Sequence, residues 1–145
     1  MNEADAIRQI LTHARTIAVV GLSPDPNRAS YGVARAMQAN GYRILPVNPL
    51  AGVPKILGEP VFASLTAAAA QHRIDVVDCF RQSAKIPPIV DEAIAIGAKA
   101  VWMQLGVSQA AAARKAEAAG LRVVQNKCMK IEHSALSARG LLAPR

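Results

Sequence analysis

The residues best suited to chemistry with an anion run from Ile17-Ala18-Val19-Val20-Gly21 through Leu22-Ser23-Pro24-Asp25-Pro26-Asn27-Arg28-Ala29-Ser30. An apolar strand, a glycine turn and a helix start leave backbone N–H groups pointing outward at the positive end of a helix dipole. Ser23 adds a hydroxyl, and the Arg28 guanidinium can fork onto phosphate oxygens. The spacing is not G-x-G-x-x-G. After Gly21 the next glycine is Gly32, which compromises the close backbone approach of a dinucleotide loop. The same stretch also reads as a tight turn with a Ser30 cap and no ligand. A second clue lies at Asn48-Pro49, where the next strand ends. Folds that bind NAD place Asp or Glu there to hold ribose hydroxyls, whereas this chain has no carboxylate until Glu59. NAD is thereby disfavoured. Nucleotides with a phosphate on the ribose, NADP and coenzyme A, stay open, as does a simple turn.

Other reactive groups fit poorly together. Gly21-Leu22-Ser23-Pro24-Asp25 starts like a nucleophile elbow but lacks the second glycine and sits on the first strand. His13, His72 and His133 fall in the opening helix, a connection and the last helix, and read as solvated. Cys128 and His133 have no partners at zinc spacing, so no metal site is expected. Asp75 and Asp78, three apart on one strand, face opposite sides and make no acid–base pair. Asp78, inside an apolar run, needs a buried donor. Cys128, flanked by Lys127 and Lys130, is either a thiol with a lowered pKa or a packed cysteine. No catalytic residue is assigned.

These groups must be positioned by a regular scaffold, and the chain alternates short apolar runs with helix-like segments. The runs are Thr16 to Leu22, Arg43 to Asn48, Ile74 to Phe80, Ala98 to Gln104 and Leu121 to Gln125. Four are continuously apolar, as strands buried on both faces of a parallel sheet should be. Pro46 predicts that the second is irregular or ends early. Ala4, Ile7, Ile10, Leu11 and Ala14 stripe an opening helix. A second helix begins at Ser30 and closes at Gly41, Ser64 caps a short one through Ala70, and Pro87-Pro88 open another that ends at Gly97. Ser108 is expected to cap an alanine-rich helix that Gly120 ends, and Ile131, Ala135 and Leu136 stripe the last. The stretch Pro49 to Pro60 is too rich in Gly and Pro for either element and reads as a long ligand loop. Right-handed crossovers put ligands at the carboxyl ends of the strands. Those ends carry Gly21, Ser23, Asn48, Pro49, Phe80, Arg81, Gln104 and Gly106.

Length and composition bound the rest. The 145 residues, 52% hydrophobic and 19% charged, predict one globular domain spanning 1–145 and exclude a disordered chain. No apolar run approaches the length of a bilayer span, and the acidic start Met1-Asn2-Glu3-Ala4-Asp5 is unlike a secretory signal. With two cysteines, the expected compartment is the reducing cytoplasm. A net charge of +7 favours anionic partners. Scattered basic residues and an aromatic content of 3% argue against nucleic acid.

Taken together, Gly21-x-Ser23, Arg28-Ala29-Ser30-Tyr31, Gly41-Tyr42, Pro46-Val47-Asn48-Pro49 and Asp78-Cys79-Phe80-Arg81 resemble the small single-domain CoA-binding proteins of bacteria and archaea. The resemblance continues through Lys99-Ala100-Val101-Trp102-Met103-Gln104-Leu105-Gly106, Gly120 to Val124, Cys128 and Glu132-His133. That family is similar to the N-terminal domain of the succinate–CoA ligase α subunit. The resemblance implies an α/β, Rossmann-like three-layer sandwich with a mostly parallel five- or six-stranded sheet. It also implies CoA or an acyl-CoA as the small-molecule ligand, without implying the ligase reaction, and the leading expectation is a binding module with no catalytic machinery of its own. In that arrangement Gly21 to Ser30, with Ser23 and Arg28, takes the pyrophosphate, and Asn48-Pro49 borders the adenosine. Phe80 and Ile86 cover an adenine face, Arg81 pairs a phosphate, and Gln104 and Gly106 line the pantetheine arm. The alternatives are an NADP-linked oxidoreductase, a Cys128-dependent acyl-CoA or thiol enzyme, and an interaction protein with a vestigial cleft.

Overall fold

The computed structural model describes residues 1–143. In chain order the elements are α1 (Glu3–His13), β1 (Thr16–Val20), α2 (Ala29–Ala39), β2 (Arg43–Val47), β3 (Lys55–Ile56), β4 (Glu59–Pro60) and α3 (Leu65–Ala69). Then come β5 (Val76–Cys79), a 3-10 turn (Ser83–Lys85), α4 (Ile86–Ala95), β6 (Ala100–Met103), α5 (Ala110–Ala118), β7 (Arg122–Val124) and α6 (Met129–Ala138). Five strands form one parallel sheet in the order β2-β1-β5-β6-β7, while β3 and β4 pair separately as an antiparallel hairpin. The fold is α/β and Rossmann-like, and the expected sheet is settled at five strands.

Side chains alternate across the sheet and divide the core in two. Ala18, Val20, Leu45, Val77, Cys79, Val101 and Met103 face one way, onto apolar residues of α3, α4 and α5. Ile17, Val19, Ile44, Val76, Ala100, Trp102 and Val124 face the other, onto α1, α2 and α6. Burial on both sides explains why the strands read as unbroken apolar runs. No helix among the described residues is long and apolar enough to cross a membrane.

Several local expectations are corrected. β2 stays regular through Pro46, which pairs in register with Val19. β2 is an edge strand, and Pro46 turns its backbone away from β1, its carbonyl accepting the Phe62 N–H (2.9 Å), so no ladder donor is lost. The Gly- and Pro-rich stretch after Pro49 is not wholly loop, since it folds into the β3–β4 hairpin. The cap of α5 is Gln109, whose side chain accepts the Ala112 N–H, rather than Ser108, whose own N–H donates to Ser83 Oγ (3.1 Å). The buried stripe of α6 is Met129, His133 and Leu136, and Ile131 lies outside it. Asn2 and Ser64 cap α1 and α3 by side-chain acceptance, and the positive-φ glycines Gly41, Gly97 and Gly120 follow the ends of α2, α4 and α5.

Candidate functional site

Because β2 and β5 lie on opposite sides of β1, the chain crosses in opposite directions from β1, and a crevice opens between the segments that follow β1 and β5. Gly21 sits at that point with φ +87°, and its N–H donates to Val47 O (2.9 Å). A Cβ there would stand 2.4 Å from the Phe80 carbonyl oxygen and 3.1 Å from Arg81 Cδ. Gly21 is therefore required by the close approach of two strand ends, and its own N–H is already used.

The segment beyond it is tied to itself. Ser23 N–H donates to Ser30 Oγ (3.0 Å), Asp25 N–H to Ser23 Oγ (3.1 Å) and Asn27 N–H to Asp25 Oδ1 (2.9 Å). Ser30 is thus an internal residue of α2 that anchors the loop, and the cap position falls to Arg28. The Arg28 side chain makes no capping bond. Among the described residues, the N–H groups of Ala29 and Ser30 have no acceptor. α1, α3 and α5 carry side-chain caps, and the first N–H of α6, Met129, donates to Gln104 Oε1 (3.3 Å). α2 instead presents open donors and its positive dipole end to the crevice. Arg28 is exposed and Arg81 half-buried, and neither makes an ion pair among the described residues. Sequence reasoning expects free N–H groups at this helix start but makes Ser30 its cap, whereas the cap is Arg28 and the open donors belong to Ala29 and Ser30. The signal for them is Arg28, a poor cap type, at the cap position.

Asn48 holds the crevice together. Its Nδ2 donates to Leu22 O (2.9 Å), its Oδ1 accepts the Leu50 N–H (2.9 Å), and its backbone N–H donates to Phe62 O (2.9 Å). Pro49 beside it joins Ala51, Val53, Pro54 and Val61 around an open apolar depression of about 380 Å³. The nearest carboxylate along the chain, Glu59, is paired with Arg43 (3.1 Å). Phe80 is half-buried at the end of β5 and packs on the second core. Ile86 is brought elsewhere. At 0% exposure it lies in the first core under α4, where it packs helix on sheet and offers no face to a ligand.

Gln104 is buried as well, at 2% exposure. Its Nε2 donates to Asp78 Oδ1 (2.6 Å) and its Oε1 receives the Met129 N–H, so one amide joins β5, β6 and the start of α6. This supplies the buried donor that Asp78 requires. Burial pushes the Asp78 carboxyl up to about 7 against the lowering effect of the Gln104 hydrogen bond. Burial, with Asp78 next to it, also pushes the Cys79 thiol up, away from reactivity. Gly106 (φ +85°) lies in an exposed turn, its N–H donating to Asn126 Oδ1 (2.7 Å). Cys128 is half-buried at the cap of α6. His13 is exposed, but His72 packs edge-on against Phe62, and His133 is buried edge-on to Tyr42, so the solvated reading fails for His133. Among the described residues no group of three or more metal-ligating side chains gathers.

A crevice at the strand carboxyl ends with an open helix N-terminus is the arrangement of a nucleotide-binding α/β domain. The family model for the CoA binding domain matches residues 15–134. The chain belongs to the CoA-binding domain family. Uncharacterized protein YneT of Bacillus subtilis (strain 168) is 36% identical over 128 residues, covering 88% of this chain and 92% of that protein. A hypothetical protein from Pyrococcus horikoshii OT3 has a solved structure that superposes with a TM-score of 0.85 at 37% identity, covering 92% of each chain. The dinucleotide forming acetyl-coenzyme A synthetase 1 of Ca. Korarchaeum cryptofilum, at 21% identity and a TM-score of 0.66, shares the fold. There the match covers 81% of this CoA-binding domain and 27% of the synthetase chain.

Proposed function

We propose that this CoA-binding domain holds CoA or an acyl-CoA along the carboxyl edge of its sheet and carries out no reaction on it. The observation that carries this reading is the uncapped N-terminus of α2 at the β1–β5 crevice, with Arg28 and Arg81 beside it. Ala29 and Ser30 N–H and the two guanidinium groups bind the pyrophosphate by charge-assisted hydrogen bonds. Ser23 and Ser30 hydroxyls, already accepting from within the loop, keep their protons to donate. The adenosine lies toward the Pro49 depression. There the absence of a free carboxylate tolerates a ribose phosphate. The pantetheine arm runs over Phe80 toward Gly106, with Gln104 shaping the wall from beneath. Five strands leave four gaps of about 4.8 Å, an edge roughly 19 Å long, which suits a ligand with a nucleotide head and an extended arm. Asp78 and Cys79 are sealed in the core, so this reading gives neither a part in chemistry.

The NADP reading shares the anion features, and titration calorimetry with CoA, acetyl-CoA, NADP and NAD separates the two. CoA is expected to bind more tightly than NADP and far more tightly than NAD. Arg28→Ala should weaken CoA binding by about 1–3 kcal/mol with the far-UV circular dichroism spectrum unchanged. Equal or stronger binding of NADP or NAD would overturn the assignment, and an unaltered Arg28→Ala affinity would move the phosphates elsewhere.

A further inference from the structure

Two large apolar side chains at the β6–β7 end of the carboxyl edge have no structural task. Leu105 is 68% exposed and Ile131 61% exposed, and neither packs against either core. Leu105 projects from a turn closed by Val107 N–H on Gln104 O (2.8 Å), with Gly106 at positive φ. That turn is stitched to the approach of α6. Gly106 N–H donates to Asn126 Oδ1 (2.7 Å), Asn126 N–H to Val107 O (2.9 Å) and Lys127 N–H to Met103 O (3.3 Å). The Trp102 indole N–H also donates to Lys127 O (2.9 Å). Ile131 follows Cys128 by three residues, which places both on one face of the first turn of α6. These bonds fix the backbone that carries Leu105 beside the approach to α6, and Leu105 and Ile131 both stay in water on the side toward which the pantetheine arm of the CoA reading runs. Two exposed apolar groups from loops, Leu50 and Val53, lie at the other, β2 end.

We infer that the ligand is a CoA thioester with an apolar acyl chain, which lies along Leu105 and Ile131. This rests on the CoA reading above. Covering these side chains with acyl methylenes removes apolar surface from water on both partners, a gain that grows with chain length. An acidic acyl group would instead set a carboxylate against this apolar pair. Lys127 is paired with Glu3 (3.7 Å), whereas Lys130, next to Ile131, is exposed and makes no ion pair among the described residues, so the succinyl-CoA arm of the test separates an apolar acyl group from an acidic one.

The test is calorimetric titration of the intact protein with CoA, butyryl-CoA, octanoyl-CoA and succinyl-CoA, repeated on Leu105→Ser and Ile131→Ser. Affinity should rise from CoA through butyryl-CoA to octanoyl-CoA, by about tenfold or more across the series. Succinyl-CoA should bind less tightly than butyryl-CoA, and each serine variant should bring the octanoyl-to-CoA ratio close to one. CoA binding without dependence on chain length overturns this inference alone. So does a preference for succinyl-CoA, or an unchanged ratio in both variants. Should a variant fail to fold, the chain-length series on the unaltered protein still decides. Failure of CoA itself to bind overturns the function proposed above, and the acyl assignment with it.

Discussion

Gly21 and Asp78 show how single residues at this sheet edge serve fold and site at once. Gly21 is needed on two counts, a φ of +87° and the Phe80 oxygen 2.4 Å from where a Cβ would stand. Gly21→Ala must therefore push β1 and β5 apart at the crevice, and we expect a loss of roughly 3 kcal/mol or more in a urea melt. A loss below about 1 kcal/mol would mean that the strands separate freely there. For Asp78 the folded-state value of about 7 lies above the ordinary 3.8. The native protein then holds the proton more tightly than the unfolded chain does. The group's contribution to stability is full below about pH 4 and is lost as the pH rises through about 7. Asp78→Asn keeps an oxygen for Gln104 to bond but does not titrate. Its stability relative to the unaltered protein should climb from about pH 5 to about pH 8, by roughly 2–3 kcal/mol. Melts at both pH values with a constant difference would sink this assignment.

Among the elements, α2 and the end of β2 do the positioning. α2 arrives at the crevice uncapped because the side chains before it, Ser23 and Asp25, use their acceptors within the loop itself. The loop is fixed from the β2 side by Asn48, through Leu22 O and the Leu50 N–H. Asn48→Ala strips both of their partner. We expect about 1–3 kcal/mol of lost stability together with weaker CoA binding, since the α2 donors lose their support. Equilibrium unfolding and calorimetry on the same variant check the two parts. Lost stability with an unchanged affinity would show that the loop is held by Ser30 alone.

At the scale of the molecule, the helices run antiparallel to the strands they follow, so their positive ends gather at the carboxyl edge. Their negative ends gather at the other. The basic residues Lys99 and Arg122 stand there, just after α4 and α5, around a smaller depression of about 140 Å³ that they share with Arg73. Arg73 is paired with Asp75 (3.7 Å), and the helix dipoles favour an anion at the carboxyl edge over the opposite one. A ligand that binds only the folded state raises the melting temperature by mass action. CoA at about a hundred times its Kd should add about 2.7 kcal/mol, a rise of roughly 5–11 °C for a chain of this size. Differential scanning calorimetry should show that rise with CoA and almost none with NAD at equal concentration. Equal shifts would remove the selectivity on which the ligand assignment depends.

The five strands of the main sheet, their parallel class and most helix ends are legible in the sequence, because burial on both faces writes continuous apolar runs and local capping writes its own residues. Ile17 to Val20 and Val76 to Cys79 each spell out a buried strand in this way. The carboxyl-edge residues are legible for the same reason, since a parallel sheet puts every strand end on one side. What tertiary structure alone decides is which of those residues face outward. Ile86 and Gln104 follow the crevice in sequence but turn inward, one to fill the space under α4, the other to satisfy Asp78. Pro46 is harmless because β2 becomes an edge, where its carbonyl meets the Phe62 N–H. Each outcome depends on which partner arrives from a distant part of the chain, and apolar periodicity and capping signals record only near neighbours.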